Sequence, residues 1–409
     1  MSVDKKAIPA TSSRTPGLVI IFLMGAFGVM GGALIAPALP SLIPPFDVSE
    51  DRVGLVLSVY TLSAALALPF IGFLLDRLGR KRVALGCLLI DGIFGIGCIF
   101  APSFGVLLLF RFFQGMGIAG LIPVAMTVLS DWFSDRAQRI KMMGYLSGTI
   151  SASAVLIPLL GGILAAQDWR YPFLVYGFSV LLAALFLLFI GETRSSKAES
   201  DRISDEIRRY VRGLGQAIRI KRVQETFAHS FVIYFLLYTM VSFLPLFLSS
   251  VHGLGAFPAG AALAVQATFS VVVATRADWV DARWRWGRKL STGFALVGVA
   301  LLTLPFWGEL SGVVISLFLF GVGMGLIQPA IYHEATAAPP PALAGSVVAL
   351  FNTMKYIGMS TAPFALGLLR VFYPLSTVFW VAAGVSLIWL ALFNGLTRRR
   401  PPSEPSLKS

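Results

Sequence analysis

The sequence predicts an all-α membrane protein with twelve transmembrane helices in two six-helix pseudo-repeats, and three observations carry that prediction. The first is composition: 56% of the 409 residues are hydrophobic and only 13% are charged. A soluble domain carries about 25% charged residues and could not hide so much apolar surface. The second is the length of the uncharged runs, such as Gly92–Phe110, which approach the ~20 apolar residues a helix needs to cross ~30 Å of hydrocarbon. In lipid the backbone must satisfy its own hydrogen bonds, so spans are helices or closed barrels. Barrel strands alternate apolar and polar residues, and these runs do not. The third is the spacing of the runs, which fall six and six about a polar stretch at 192–226.

Taken in order, the spans lie near 17–39, 53–74, 82–101, 104–128, 142–165 and 171–191, then 227–249, 258–276, 290–307, 311–333, 343–368 and 373–395. The first run is longer than the ~7–15 residues of a signal-peptide core and reads as an uncleaved span. This divides the chain into an N-terminal bundle (1–191), a cytoplasmic linker (192–226) and a C-terminal bundle (227–409). In the linker, Ile203, Ile207, Tyr210, Leu214 and Ile218 share one helical stripe beside Arg208, Arg209, Arg212 and Arg219. That pattern suits a helix lying in the inner interface, and equally a tether between the halves.

Orientation follows from the basic residues. With the N-terminus in the cytoplasm, 28 of the 33 Lys and Arg residues fall on cytoplasmic segments. Three, Arg52, Arg170 and Arg370, fall outside, and Arg111 and Lys355 fall within the membrane. This bias predicts a multi-pass protein of the cell membrane with both termini in the cytoplasm. It accounts for the net charge of +13 through contact with membrane lipids, without nucleic acid. Cys87 and Cys98 are eleven residues apart on one span, ~16 Å of rise, too far for a disulfide. His229, His252 and His333 are scattered, so no metal or cofactor is called for. No serine–histidine–acid set or nucleotide loop is present to suggest an enzyme.

The halves also echo one another. Gly79-Arg80-Lys81 precedes span 3 and Gly287-Arg288-Lys289 precedes span 9, while Tyr171-Pro172 and Tyr373-Pro374 open spans 6 and 12. Repeated halves with a site at their interface are a recurring transporter plan. The loop between spans 2 and 3 is the sharpest local signal, with Gly72, Asp76, Arg77, Gly79, Arg80 and Lys81 in one short segment. Glycine permits a tight turn, and an acid among arginines at the membrane boundary can latch two helices.

This segment resembles the cytoplasmic signature of the major facilitator superfamily. Arg111-Phe112-Phe113-Gln114-Gly115-Met116-Gly117 resembles that family's fourth-span motif, and Pro37-Ala38-Leu39-Pro40 with Gly31 is similar to the first-span motif of its twelve-span drug–proton antiporters. Gly144, Pro158, Gly161 and Gly162 match four places of the fifth-span antiporter motif, while Ser153 and Ile157 replace two of its glycines. The resemblance implies alternating access by two rocking bundles, usually driven by protons. It implies that the loop signature gates the cytoplasmic side and that Arg111 handles protons. Many such antiporters carry an acid in span 1, and this chain has none between Gly17 and Leu39.

Charges within the membrane are costly and mark candidate sites. Asp91 and Arg111 sit at similar depth on consecutive antiparallel spans, where they can pair; the pair reads as a structural bridge or as a proton-coupling site. Lys355 lies mid-span with Asn352 one turn earlier, and can snorkel, pair with Glu334, or bind an anionic group of a substrate. Glu334 lies near the cytoplasmic end of span 10, off the depth of Lys355. Gln114 and Gln328 occupy related places in spans 4 and 10, and Tyr234 and Tyr238 are one turn apart on span 7. Each is a candidate substrate contact or a helix–helix hydrogen bond.

The functional expectation is a secondary transporter, a proton-coupled exporter of a small amphipathic drug or metabolite, for which a monomer suffices mechanically. An importer or facilitator of a small organic anion on the same fold, and a non-transporting receptor, stay open.

Overall fold

The computed structural model describes residues 15–192, 212–213, 215–216, 218–337 and 344–398; the side chains of Asp76, 336–337, 344–346 and 396–398 are outside the described set. Most of the linker stripe named above therefore lies outside the described residues, and Ile218 is exposed.

The described residues form helices and no strand. Long helices are α1, a bent pair Thr15–Phe27 and Met30–Phe46; α2, Leu55–Leu78; α3, Arg80–Gly97; α4, Phe104–Trp132; α5, Arg136–Ala165; and α6, Gly177–Phe189. After the linker come α7, Lys221–His252; α8, Ala256–Ala274; α9, Trp286–Thr303; α10, Leu310–Ala337; α11, Ala344–Arg370; and α12, Leu375–Arg398. Ten of these segments are long and apolar enough to cross a membrane, and the α1 pair makes an eleventh. Helix α11 is long enough but not apolar enough, because Asn352, Lys355, Tyr356, Ser360 and Thr361 interrupt it.

Boundaries differ from the sequence expectation mainly at the charged ends. Helix α7 starts at Lys221, so Arg222 and Glu225 are helical rather than linker, and α5 starts at Arg136. An apolar run marks the hydrocarbon layer, whereas a helix continues through polar turns as long as its own hydrogen bonds close. The start of α5 is set by Asp135, whose carboxylate accepts the Gln138 backbone N–H at 2.8 Å.

Helix α1 bends by 53° between its two pieces. The bend falls at Gly28, Val29 and Met30, beside glycines whose backbone others approach closely. A Cβ built on Gly28 would fall 2.4 Å from Ile122, and one on Gly32 would fall 2.4 Å from the Tyr238 hydroxyl. The Gly321/Gly325 pair likewise packs on the backbone of α8, at Gln266 and Ser270.

We call the end of the bundle carrying residues 192 and 221 the linker end, and the opposite end the distal end. Contacts between the first six and last six helices concentrate toward the distal end. Helix α2 meets α11, where Gly54 packs on Pro363 and the Asp51 carbonyl sits 2.5 Å from the Cβ position of Gly367. Ser58 and Ser360 donate hydroxyl hydrogen bonds to each other's carbonyls at 2.9 and 3.0 Å. Beyond them Arg370 pairs with Glu50 at 2.9 Å. Helix α5 meets α8 where Gly162 lies against Gly260. Toward the linker end α5 leaves these neighbours: Gly144 and Gly148 have nothing within 4 Å of a Cβ position.

Candidate functional site

A polar network is built into the first six helices. Arg111 of α4 is fully buried, a costly place for a guanidinium unless every donor is used. Its Nε donates to the Val56 carbonyl at 3.2 Å, one terminal nitrogen to Gln114 Oε1 at 2.7 Å, and the other to the Gly31 carbonyl at 2.6 Å. The Tyr60 ring lies 4.1 Å from the guanidinium carbon, adding a cation–π contact. Gln114, also fully buried, turns its amide nitrogen to Asp91 Oδ1 at 3.3 Å, and the Ser179 hydroxyl donates to Asp91 Oδ2 at 2.6 Å. Asp91 and Arg111 are thus joined through Gln114 rather than in direct contact. Five helices, α1, α2, α3, α4 and α6, are tied by this one chain of groups.

Four of these helices, α2, α3, α4 and the start of α6, approach closely because small residues line the contact. Gly117 lies against the backbone of Cys87 and Asp91, Gly95 against Tyr176, and Gly115 against the Tyr60 carbonyl. The arginine-led motif of α4 therefore places its charge and its glycines on the same buried seam.

The second cluster belongs to the last six helices. Lys355 of α11 is half-buried, with its ammonium 5.4 Å from the Tyr234 ring centre and 5.0 Å from that of Tyr356. The Tyr234 hydroxyl donates to that of Tyr332 at 3.1 Å, and Tyr332 lies within hydrogen-bonding reach of Lys355. Glu334 does not turn to Lys355; it forms an ion pair with Arg222 at the linker end. Gln328 is half-buried one turn from Tyr332 on α10. Asn352 bonds within its own helix, to the Val348 carbonyl at 2.9 Å. Tyr238 has its hydroxyl against Gly32 of α1. Tyr356 also packs against the apolar cores of both halves.

The loop between α2 and α3 is a tight junction. Gly79 has φ +85°, the left-handed region in which a side chain is strained, and a Cβ there would fall 2.6 Å from the Glu192 carboxylate. That carboxylate accepts the Arg80 backbone N–H at 2.9 Å, while Arg80 Nε pairs with Asp131 at 2.9 Å and its fork reaches the Leu75 carbonyl at 3.1 Å. Lys81 donates to the Leu187 carbonyl at 2.8 Å. Gly72 is exposed and Arg77 half-buried, and the Asp76 side chain lies outside the described residues. Of the fifth-span residues, Pro158, Gly161 and Gly162 sit where α5 meets α1 and α8, whereas Gly144 faces open space.

This architecture fits one family over most of its length. The description Major Facilitator Superfamily matches residues 21–363. The chain belongs to the major facilitator superfamily. This major facilitator transporter is 27% identical over 348 residues to the Bacillibactin exporter of Bacillus subtilis strain 168, covering 82% of this chain and 85% of that one. It is 25% identical to Multidrug resistance protein 2 of the same organism, over 91% of this chain and 95% of that one. In fold it matches a bacterial homologue of the human lysosomal transporter Spinster, in an inward-facing and occupied conformation, with TM-score 0.79 and 19% identity over 97% of this chain and 100% of that one. It is a multi-pass membrane transporter, not an enzyme.

Several residues now prominent were not singled out from sequence. Tyr60, Tyr176 and Ser179 complete the buried network, Tyr332 and Tyr356 surround Lys355, and Asp131 and Glu192 anchor the loop. A pocket of about 450 Å³ also opens at the linker end of the last six helices, bounded by Arg222, His229, Lys289 and Glu334 among others. Asp131 and Glu192 carried a usable signal, each being an acid at the end of a span on the basic side.

Proposed function

We propose that this transporter is a proton-coupled exporter of a small amphipathic compound, working by alternating access in the cell membrane with its linker end in the cytoplasm. The observation that carries the coupling is Asp91: a carboxyl only 1% exposed, which reaches its nearest cation through a glutamine. A carboxylate in that position is costly when charged and unpaired, so taking up and releasing a proton changes the stability of the whole α1–α4 and α6 seam. The lysine and arginine bias supports the orientation. With that orientation the distal contacts close the outside and the splayed linker end opens inward.

Export is supported by the two named relatives and by the fifth-span residues, three of which sit on the α5 contacts. The loop cluster of Gly79, Arg80 and Lys81 is then the cytoplasmic gate, engaged in another state of the cycle. The test is flux direction. In proteoliposomes with an acidic lumen, a driven compound accumulates inside as protons leave, and the proton movement is read with a pH-sensitive dye. Compound leaving together with the protons would instead assign symport and overturn the reading.

A further inference from the structure

Two cations lie within the span region, and only one of them is spent. Arg111 uses Nε and both terminal nitrogens on acceptors of its own half. Lys355 has no ion-pair partner among the described residues, since the acid on the neighbouring helix, Glu334, is held by Arg222. Its ammonium is flanked by aromatic faces, which stabilise a cation without neutralising it or accepting its three N–H donors as an anion would. Tyr332, 39% exposed, has its hydroxyl beside that ammonium, and Lys355 itself is half-buried. The helix carrying Lys355 is also the long helix too polar to qualify as a span by composition. Such a helix is built to line a polar space rather than lipid.

We propose that Lys355, with the phenols of Tyr234, Tyr332 and Tyr356, is the receptor for the carboxylate of an aromatic organic acid, which makes the cargo class anionic. This rests on the transport reading above. The ammonium takes the carboxylate, the Tyr332 hydroxyl, held by the buried Tyr234, takes its second oxygen, and the half-buried Tyr356 ring meets the apolar body. A lipophilic monocation is disfavoured at the same place by Lys355 itself.

The test is binding, which needs no gradient. Purified full-length protein is titrated by calorimetry with benzoate, 2-naphthoate and anthracene-9-carboxylate, each against its own amide. The expected result is at least one pair in which the carboxylate binds about tenfold tighter than the amide. Lys355→Gln removes that preference, weakening the carboxylate far more than the amide, and Lys355→Arg retains part of it. Should Lys355→Gln fail to fold, Tyr332→Phe reports instead, lowering the preference about threefold. Equal affinity within every pair, or a preference that survives Lys355→Gln or is untouched by Tyr332→Phe, overturns the proposal. A carboxylate preference without gradient-driven flux would leave the receptor standing and remove the exporter.

Discussion

The reciprocal bond between Ser58 and Ser360 offers a test of how firmly the distal end is closed. Both residues are buried, at 3% and 6% exposure, and each hydroxyl donates to the other's carbonyl across the two halves. A neutral buried hydrogen bond contributes about 0.5–1.5 kcal/mol net, so two contribute about 1–3 kcal/mol to this state. When the halves part, each serine can bond back to its own helix, as Thr61 does to the Leu57 carbonyl at 2.8 Å. That compensation in the parted state lowers the difference to about 1–2 kcal/mol. Replacing both by alanine should therefore shift the balance toward a distally open state by roughly 5–30-fold. The assay is pulsed electron paramagnetic resonance on spin labels at Arg52→Cys and Phe372→Cys, both exposed near the distal end of α2 and α11. Cys87 and Cys98 are buried and are replaced by serine in the background. A longer-distance population should grow in the double variant, with each single variant intermediate. An unchanged distribution would mean that the serines stay together throughout the cycle as a pivot, and the closure argument would fail.

Three further outcomes are expected. Asp91→Asn should abolish proton-driven flux and preserve substrate exchange; proton release on substrate addition that persists in the variant would place the proton site elsewhere. Gly260→Val should loosen the α5–α8 contact, because even a Cβ would fall 2.4 Å from the Pro158 carbonyl, and solvent labelling of cysteines placed at the distal end of α8 should rise. Arg222→Ala should lower thermal stability by about 1 kcal/mol, since Arg222 is 62% exposed while the Glu334 it leaves unpaired is only 12% exposed; no loss in a melting scan would contradict this.

What could be read from the sequence was position along the helix axes. Each span is a predominantly apolar run, so the order of helices and the depth of Asp91, Arg111 and Lys355 followed from a fixed rise per residue. Rotation about the axes did not follow, because packing sets it. Shared depth suggested a direct Asp91–Arg111 pair, yet Gln114 stands between them because the glycine seam turns α4 so that it faces both. Lys355 and Tyr356 are adjacent in the chain, but consecutive helical side chains diverge, so their contact needed the bend of the lysine chain to be seen. Tyr332 comes from another helix and had no local signal. The ion pair of Glu334 was hidden because Arg222 reads as linker until α7 is known to begin at Lys221.

The crossing of α5 and α8 at Gly162 and Gly260 has a mechanical consequence. Gly162 is 26 residues from Arg136, the first residue of α5, which makes a lever of ~39 Å. A turn of ~15° about that crossing swings the far tip through ~10 Å, enough to admit a small organic molecule. In such a turn the pieces at the crossing would hardly travel while the tip swept across the linker end. Two residues without side chains keep the arm close to its axle, and the length of an unbroken helix supplies the gearing.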